Sequence, residues 1–134
     1  TRIYFVAGGD HTESAQSTDN GATWTREGRI TISGLSTSRW DVDPDIIRLS
    51  NGSYRLYFAA GLGAGLSNKR IYSARSTDGL TFTLEAGERI GVPSGAADNV
   101  DPDVILLSNG TYRMYFGRFL SAGQAYELWS ALSL

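Results

Sequence analysis

Cysteine is absent from this 134-residue chain and histidine occurs once, as His11. Disulfides and thiolate metal sites are thereby excluded, and a lone imidazole cannot build a His-rich zinc centre. No run approaches the ~18 consecutive apolar residues of a membrane helix, and the opening "TRIYFVAGGDHTES" lacks the charged start and long apolar stretch of a signal peptide. A formal net charge of -2 offers no electrostatic grip on nucleic acid or an anionic membrane, so neither is expected as a partner. No segment carries an amphipathic helical stripe with caps. No cofactor is expected, and composition leaves the compartment open.

What the chain does contain is a sentence written twice. "VDPDIIRLSNGSYRLYF" at 42 to 58 returns as "VDPDVILLSNGTYRMYF" at 100 to 116, an offset of 58 with thirteen identities in seventeen positions. Within each copy a short apolar run leads into Asn-Gly and then into an aromatic-rich run. That order signals a β-hairpin, because Asn-Gly readily takes the positive backbone angles of a tight turn. After a Gly-rich connection come "RIYSARS", the turn "TDGL" and "TFTLEAGERI", which completes four antiparallel strands, A to D. "RIYF" at 2 to 5 matches "RLYF" at 55 to 58, and "ELWSALSL" matches "RIYSARS". The phase is therefore strands B to D over 1–33, a complete unit over 42–90, and strands A to C over 100–134.

Long repeats rich in short strands and turns are the mark of β-propellers. The expected fold is all-β: blades of four antiparallel strands, in a partial propeller of about two and a half blades. Blades bury their faces only against neighbours, so each open end leaves on the order of several kcal/mol of hydrophobic stabilisation unrealised. Exposed patches of that kind seek partners. The expectation is completion by oligomerising, most simply as a homodimer.

"STDNGATW" at 17 to 24 resembles the Asp-box of sialidase-type propellers, and "STDGLTF" at 76 to 82 is a copy one residue shorter. The aspartate in such a turn bonds nearby backbone N–H groups while Trp24 or Phe82 packs inward. The whole unit, "DPD-hydrophobics-NG-YRLYF" followed by "IYSARSTDGLTF", most resembles blades of the five-bladed glycosidase superfamily of arabinanases, levansucrases and invertase-like enzymes. That resemblance implies glycosyl hydrolysis or transfer by three carboxylates on different blades around a central funnel.

In an antiparallel meander the A-to-B and C-to-D turns share one rim, and the longer loops collect on the other, where sites are usually built. By the resemblance, Asp43 and Asp101 occupy the place of a catalytic or pKa-tuning aspartate. Equally, each Asp-Pro-Asp can cap its inner strand, since proline suits a strand's first residue. Positions that differ between copies on this rim report what each blade does individually. They are Trp40 against Asp98, Asp41 against Asn99, Ala60 against Arg118, and Arg70 against Glu127. Trp40 suits stacking on a sugar ring, Glu127 a general acid, and Arg39, Arg70 or Arg118 the holding of hydroxyl or carboxylate groups, with Asp98 and His11 beside them. "DVDPD" and "DNVDPD" gather oxygen ligands, yet without the spacing or glycine of a calcium loop, so no metal is assigned.

Overall fold

A computed structural model describes residues 1–36, 40–61, 68–92, 98–120 and 126–133. Among the described residues there are eleven strands and no helix. Strands β1 (Arg2–Ala7), β2 (His11–Gln16) and β3 (Thr25–Arg29) form one antiparallel sheet, and β9 (Asp98–Leu106), β10 (Tyr112–Phe119) and β11 (Tyr126–Leu132) form another. Between them lie β4 (Thr31–Ser33), β5 (Val42–Arg48), β6 (Tyr54–Ala60), β7 (Arg70–Ser76) and β8 (Thr81–Leu84), in the order β4-β8-β7-β6-β5. The chain is thus an all-β, partial propeller whose sheets are its blades.

The middle blade has one strand more than a four-stranded unit. Residues 31–33, within the stretch assigned to the first blade, instead run parallel to β8 in the register Thr31↔Thr81 to Ser33↔Thr83. The crossover is held by Thr31 N–H donating to Leu80 C=O at 3.0 Å, while Ile30 and Ile32 join the apolar cluster around Phe82.

Blades meet through their apolar faces. Strand alternation sends Leu56, Phe58 and Ala60 of β6 toward the first blade and Tyr57 and Ala59 toward the third, so "LYFAA" reads as an unbroken apolar run. Leu56, Phe58, Ala74 and Phe82 form one core with Ile30, and Tyr57 and Ile71 form another with Val104, Met114 and Phe116. Val42, Ala59 and Val100 make a third, smaller cluster, covered by Trp40 and Phe119. Full burial of a side chain such as Phe58 or Phe82 stabilises by roughly 1.5–3 kcal/mol. Trp24 differs from the inward packing expected of it: it is 39% exposed. It corresponds to Phe82, which is roofed by the blade before it, and among the described residues no sheet covers that side of the first blade.

The turns explain why these segments reverse. At Ser50-Asn51-Gly52 only the glycine takes positive φ, at 84°, whereas Asn51 uses its side chain: Oδ1 accepts from Ser53 N–H at 3.1 Å and Ser53 Oγ at 2.6 Å. Gly52 N–H bonds Leu49 C=O at 2.9 Å, so the hairpin carries a type I turn with a left-handed glycine rather than two left-handed residues. At the other turn, Asp78 accepts from the N–H groups of Leu80 and Thr81 at 2.8 and 2.9 Å, and these bonds hold its carboxyl down to about 2. The first blade seats on this turn, with Arg2 Nη1 donating to Asp78 C=O and Tyr4 Oη to Gly79 C=O, both at 2.8 Å.

Carboxylates also tie blades through backbone. Asp41 Oδ2 accepts from Thr12 N–H at 2.9 Å, and Asp45 Oδ2 from Val104 N–H at 2.8 Å. Leaving the Val104 N–H unpaired at a buried interface costs about 1–3 kcal/mol. Asp45→Ala is therefore expected to lose that amount in urea unfolding, whereas Asp45→Asn, which keeps an acceptor, stays within about 1 kcal/mol of the parent. Equal losses in the two variants would remove this inter-blade bond from the account.

Candidate functional site

Strand β5 is interrupted between Val42↔Ala59 and Asp45↔Tyr57, and β9 between Val100↔Gly117 and Asp103↔Tyr115. Each interruption is a β-bulge that sets Asp-Pro opposite one residue of the neighbouring strand. Proline fits because the ladder needs no N–H there. Asp43 and Asp101 carry positive φ, 54° and 50°, a left-handed conformation that aspartate tolerates better than most side chains but that still costs of order 1–3 kcal/mol. Asp101 lies inside β9 rather than at its start.

The two aspartates share one neighbourhood. The Asp101 charge and backbone N–H both act on the Asp43 carboxyl. Burial pushes the Asp43 carboxyl above the ordinary carboxylate range and the nearby Asp101 charge adds to the rise, while Lys69 and that N–H oppose it. Tyr126 Oη donates to Asp101 Oδ2. Burial, then this bond, push the Tyr126 phenol up to about 12.

Tyr126 reaches Asp101 because Gly117 lies between them: a Cβ there would overlap the Tyr126 hydroxyl and ring. The ring is steadied edge-on by Phe119, with centroids 5.0 Å apart. In the other copy Ala59 stands where Gly117 does, and the charge of Lys69, the counterpart of Tyr126, favours the ionised form of Asp43. Two aspartates of the same backbone shape therefore have different surroundings, Asp43 within the field of a cation and Asp101 bonded to a hydroxyl donor. Lys69 and Tyr126 were not among the expected site residues, although each stands one place before the differing pair Arg70 and Glu127.

The remaining expected site residues are dispersed. Arg118 is 4% exposed, its Nε donating to Asn99 Oδ1 at 2.9 Å and Nη2 to Gly91 C=O at 3.3 Å, with the guanidinium 4.5 Å from the Trp129 ring centre. Glu127 accepts from Trp129 Nε1 at 3.0 Å. Asp98 Oδ1 accepts from Lys69 N–H at 2.6 Å and so anchors the entry to β7. Arg70 donates from Nη1 to Lys69 C=O at 2.9 Å and lies 3.5 Å from Glu88. Trp40 covers the Val42–Ala59–Val100 cluster, and Arg39 lies outside the described residues. A cavity of about 310 Å³ lined by Arg29, Ile32, Leu35 and Asp41 belongs to the first interface and does not include the aspartate pair.

His11 belongs to a separate ionic cluster in the first blade. Its Nδ1 is 2.6 Å from Asp10 Oδ1 and its Nε2 3.0 Å from Glu13 Oε1, so the imidazolium donates to both carboxylates. The Asp10 bond, then the Glu13 bond, raise the His11 pKa above its ordinary value. Glu13 is held at about 2, chiefly by Arg26 and then by His11. For a raised histidine the stabilisation is complete below its unfolded pKa of about 6.5 and disappears as pH rises through the folded value. The stability gap between the parent and His11→Gln in urea is accordingly expected to be widest near pH ~5.5 and to shrink by pH ~8.5. A gap that is flat or grows with pH contradicts the paired imidazolium.

No family model matches the sequence, and no curated protein matches it. Solved structures do. One is a family 117 glycoside hydrolase produced by the marine bacterium Zobellia galactanivorans, with TM-score 0.66 and 19% identity, covering 78% of this chain and 39% of that one. Another is a protein of unknown function from Dyadobacter fermentans, with TM-score 0.65 and 19% identity, covering 98% of this chain and 38% of that one. The likeness is one of fold, and the chain spans about two-fifths of each of these structures.

Proposed function

We propose that this chain is a partial propeller related to glycoside hydrolases, whose Asp43 and Asp101 lie at a carbohydrate-handling funnel and which works only when further blades complete the ring. The observation that carries the reading is the pair itself: two aspartates in left-handed bulges, strained alike, the charge of Asp101 acting on a buried Asp43. Strain retained at matching places in adjoining blades points to function, because a relaxed strand start is available to other residues. The likeness to a family 117 glycoside hydrolase supports the lineage.

Ring completion is part of the proposal. Leu128 and Leu132 of the third blade are 75% and 54% exposed, and Ile105 beside them is 42% exposed. A second copy is the simplest source of cover, and the single chain is then inactive. A second reading, hydrolysis by this chain alone, is favoured by the raised Asp43 carboxyl, since a carboxyl that keeps its proton nearer neutrality is suited to act as general acid.

Two measurements separate the readings. Light scattering at high protein concentration is expected to give a mass above that of one chain; a monodisperse monomer removes self-completion. Aryl arabinofuranosides, xylosides and fructosides are expected not to turn over with the isolated monomer. If turnover occurs and vanishes in folded Asp43→Asn or Asp101→Asn, but survives Glu127→Gln, the second reading replaces the first.

A further inference from the structure

Five asparagines occur in the chain, and two of them are followed by glycine and then by a hydroxyl residue, in Asn51-Gly52-Ser53 and Asn109-Gly110-Thr111. Asn-x-Ser/Thr, with x other than proline, is the pattern on which N-linked glycans are placed. The repeat preserves it through a change. Ser53 against Thr111 is one of four differences in the seventeen aligned positions, and it keeps the hydroxyl.

Three residues of this kind recur by chance in many chains, so the geometry decides. Both asparagines are exposed at the tips of hairpins, Asn51 between β5 and β6 and Asn109 between β9 and β10. In each the carboxamide oxygen is engaged and the nitrogen is not. Asn109 Oδ1 accepts from Thr111 N–H at 3.1 Å and from Thr111 Oγ1 at 2.8 Å, just as Asn51 Oδ1 accepts from Ser53. Among the described residues neither Nδ2 donates a hydrogen bond. Backbone bonds close the turns without it: Leu107 N–H donates to Thr111 C=O at 2.8 Å and Gly110 N–H to Leu107 C=O at 3.0 Å. The other asparagines differ. Asn99 is buried and its Nδ2 donates to Ile90 C=O at 3.4 Å, while Asn20 and Asn68 have Ala22 and Arg70 where the hydroxyl residue would stand.

This arrangement suits chemistry at nitrogen. The hydroxyl that donates to Oδ1 fixes the carboxamide plane and draws charge toward oxygen, so an Nδ2 proton is easier to remove. The glycosylated residue is still an amide, with Oδ1 available to Ser53 or Thr111, so the turn survives modification. Gly52 and Gly110, at φ 84° and 85°, place no side chain beside the acceptor. Both turns lie at the ends of β5 and β9 remote from the Asp43 and Asp101 bulges, so a bulky glycan there leaves that site open.

We infer that Asn51 and Asn109 are acceptor sites for N-linked glycans, taken from a polyprenyl-diphosphate-linked oligosaccharide. In the step, Nδ2 bonds to the anomeric carbon as the anomeric C–O bond to the diphosphate breaks. The diphosphate lipid leaves as an anion, and one Nδ2 proton passes to a base of the transferase. The inference does not depend on the glycoside hydrolase reading.

The test incubates the folded chain with a single-subunit oligosaccharyltransferase and its lipid-diphosphate glycan, under conditions in which a peptide carrying Asn-Gly-Thr is glycosylated, and measures intact mass. Two glycans per chain are expected, both released by a peptide N-glycosidase. Ser53→Ala and Thr111→Ala each remove one glycan, whereas Ser53→Thr and Thr111→Ser retain it. Asn51→Asp and Asn109→Asp keep the oxygen that accepts in the turn, stay folded by circular dichroism, and lose the glycan. The inference is overturned if the folded chain gains no glycan while the peptide does, if only the urea-unfolded chain is modified, or if the alanine variants carry as much glycan as the parent. Transfer to one turn alone removes the other as an acceptor.

Discussion

A sheet that is apolar on both faces cannot stand by itself in water, and this constraint organises the molecule. The middle blade sends alternate side chains of β6 into two different cores, and both cores must be roofed for either face to be stable. The outer blades supply one roof each, and among the described residues no sheet covers their other faces, so Trp24, Leu128 and Leu132 remain in contact with solvent while Phe82 does not. Hydrogen bonds refine the stacking rather than cause it. Asp41 and Asp45 reach from one blade to a backbone N–H of another, and Arg2 and Tyr4 fix the first blade to the turn of the second.

The fold was largely legible because its signals are local and repeated. Thirteen shared positions in seventeen, with an Asn-Gly between apolar and aromatic runs, are enough to phase strands and turns along the chain. Two features escaped. Strand β4 is only Thr31–Ser33, too short to carry a pattern, and its pairing depends on where β8 lies in space. The hairpin at Asn51-Gly52 takes its left-handed angle at glycine alone, since the asparagine side chain already satisfies the Ser53 N–H.

The sequence offers candidate site residues without saying which of them meet. The resemblance brings Asp43 and Asp101 forward, whereas the bond from Tyr126 to Asp101 exists only through three-dimensional reach, which turns on the missing Cβ of Gly117. Arg118 shows the opposite difficulty. A charge on a functional rim reads as an exposed ligand-holding arm, but this one is buried against Trp129, Phe116 and Asn99, where its donors complete an interface. Differences between repeats thus mark both chemistry and repair of packing, and only the contacts tell them apart.

The left-handed bulge at Asp43 and Asp101 also narrows what inheritance can do with these positions. Glycine, asparagine and aspartate are the residues that enter that conformation readily, whereas a β-branched replacement meets a steric barrier before any selection on activity begins. Neutral drift at these two codons is confined to a short alphabet, and one of its three letters is an acid. A chain built on this bulge keeps a carboxylate within a single mutational step at both places.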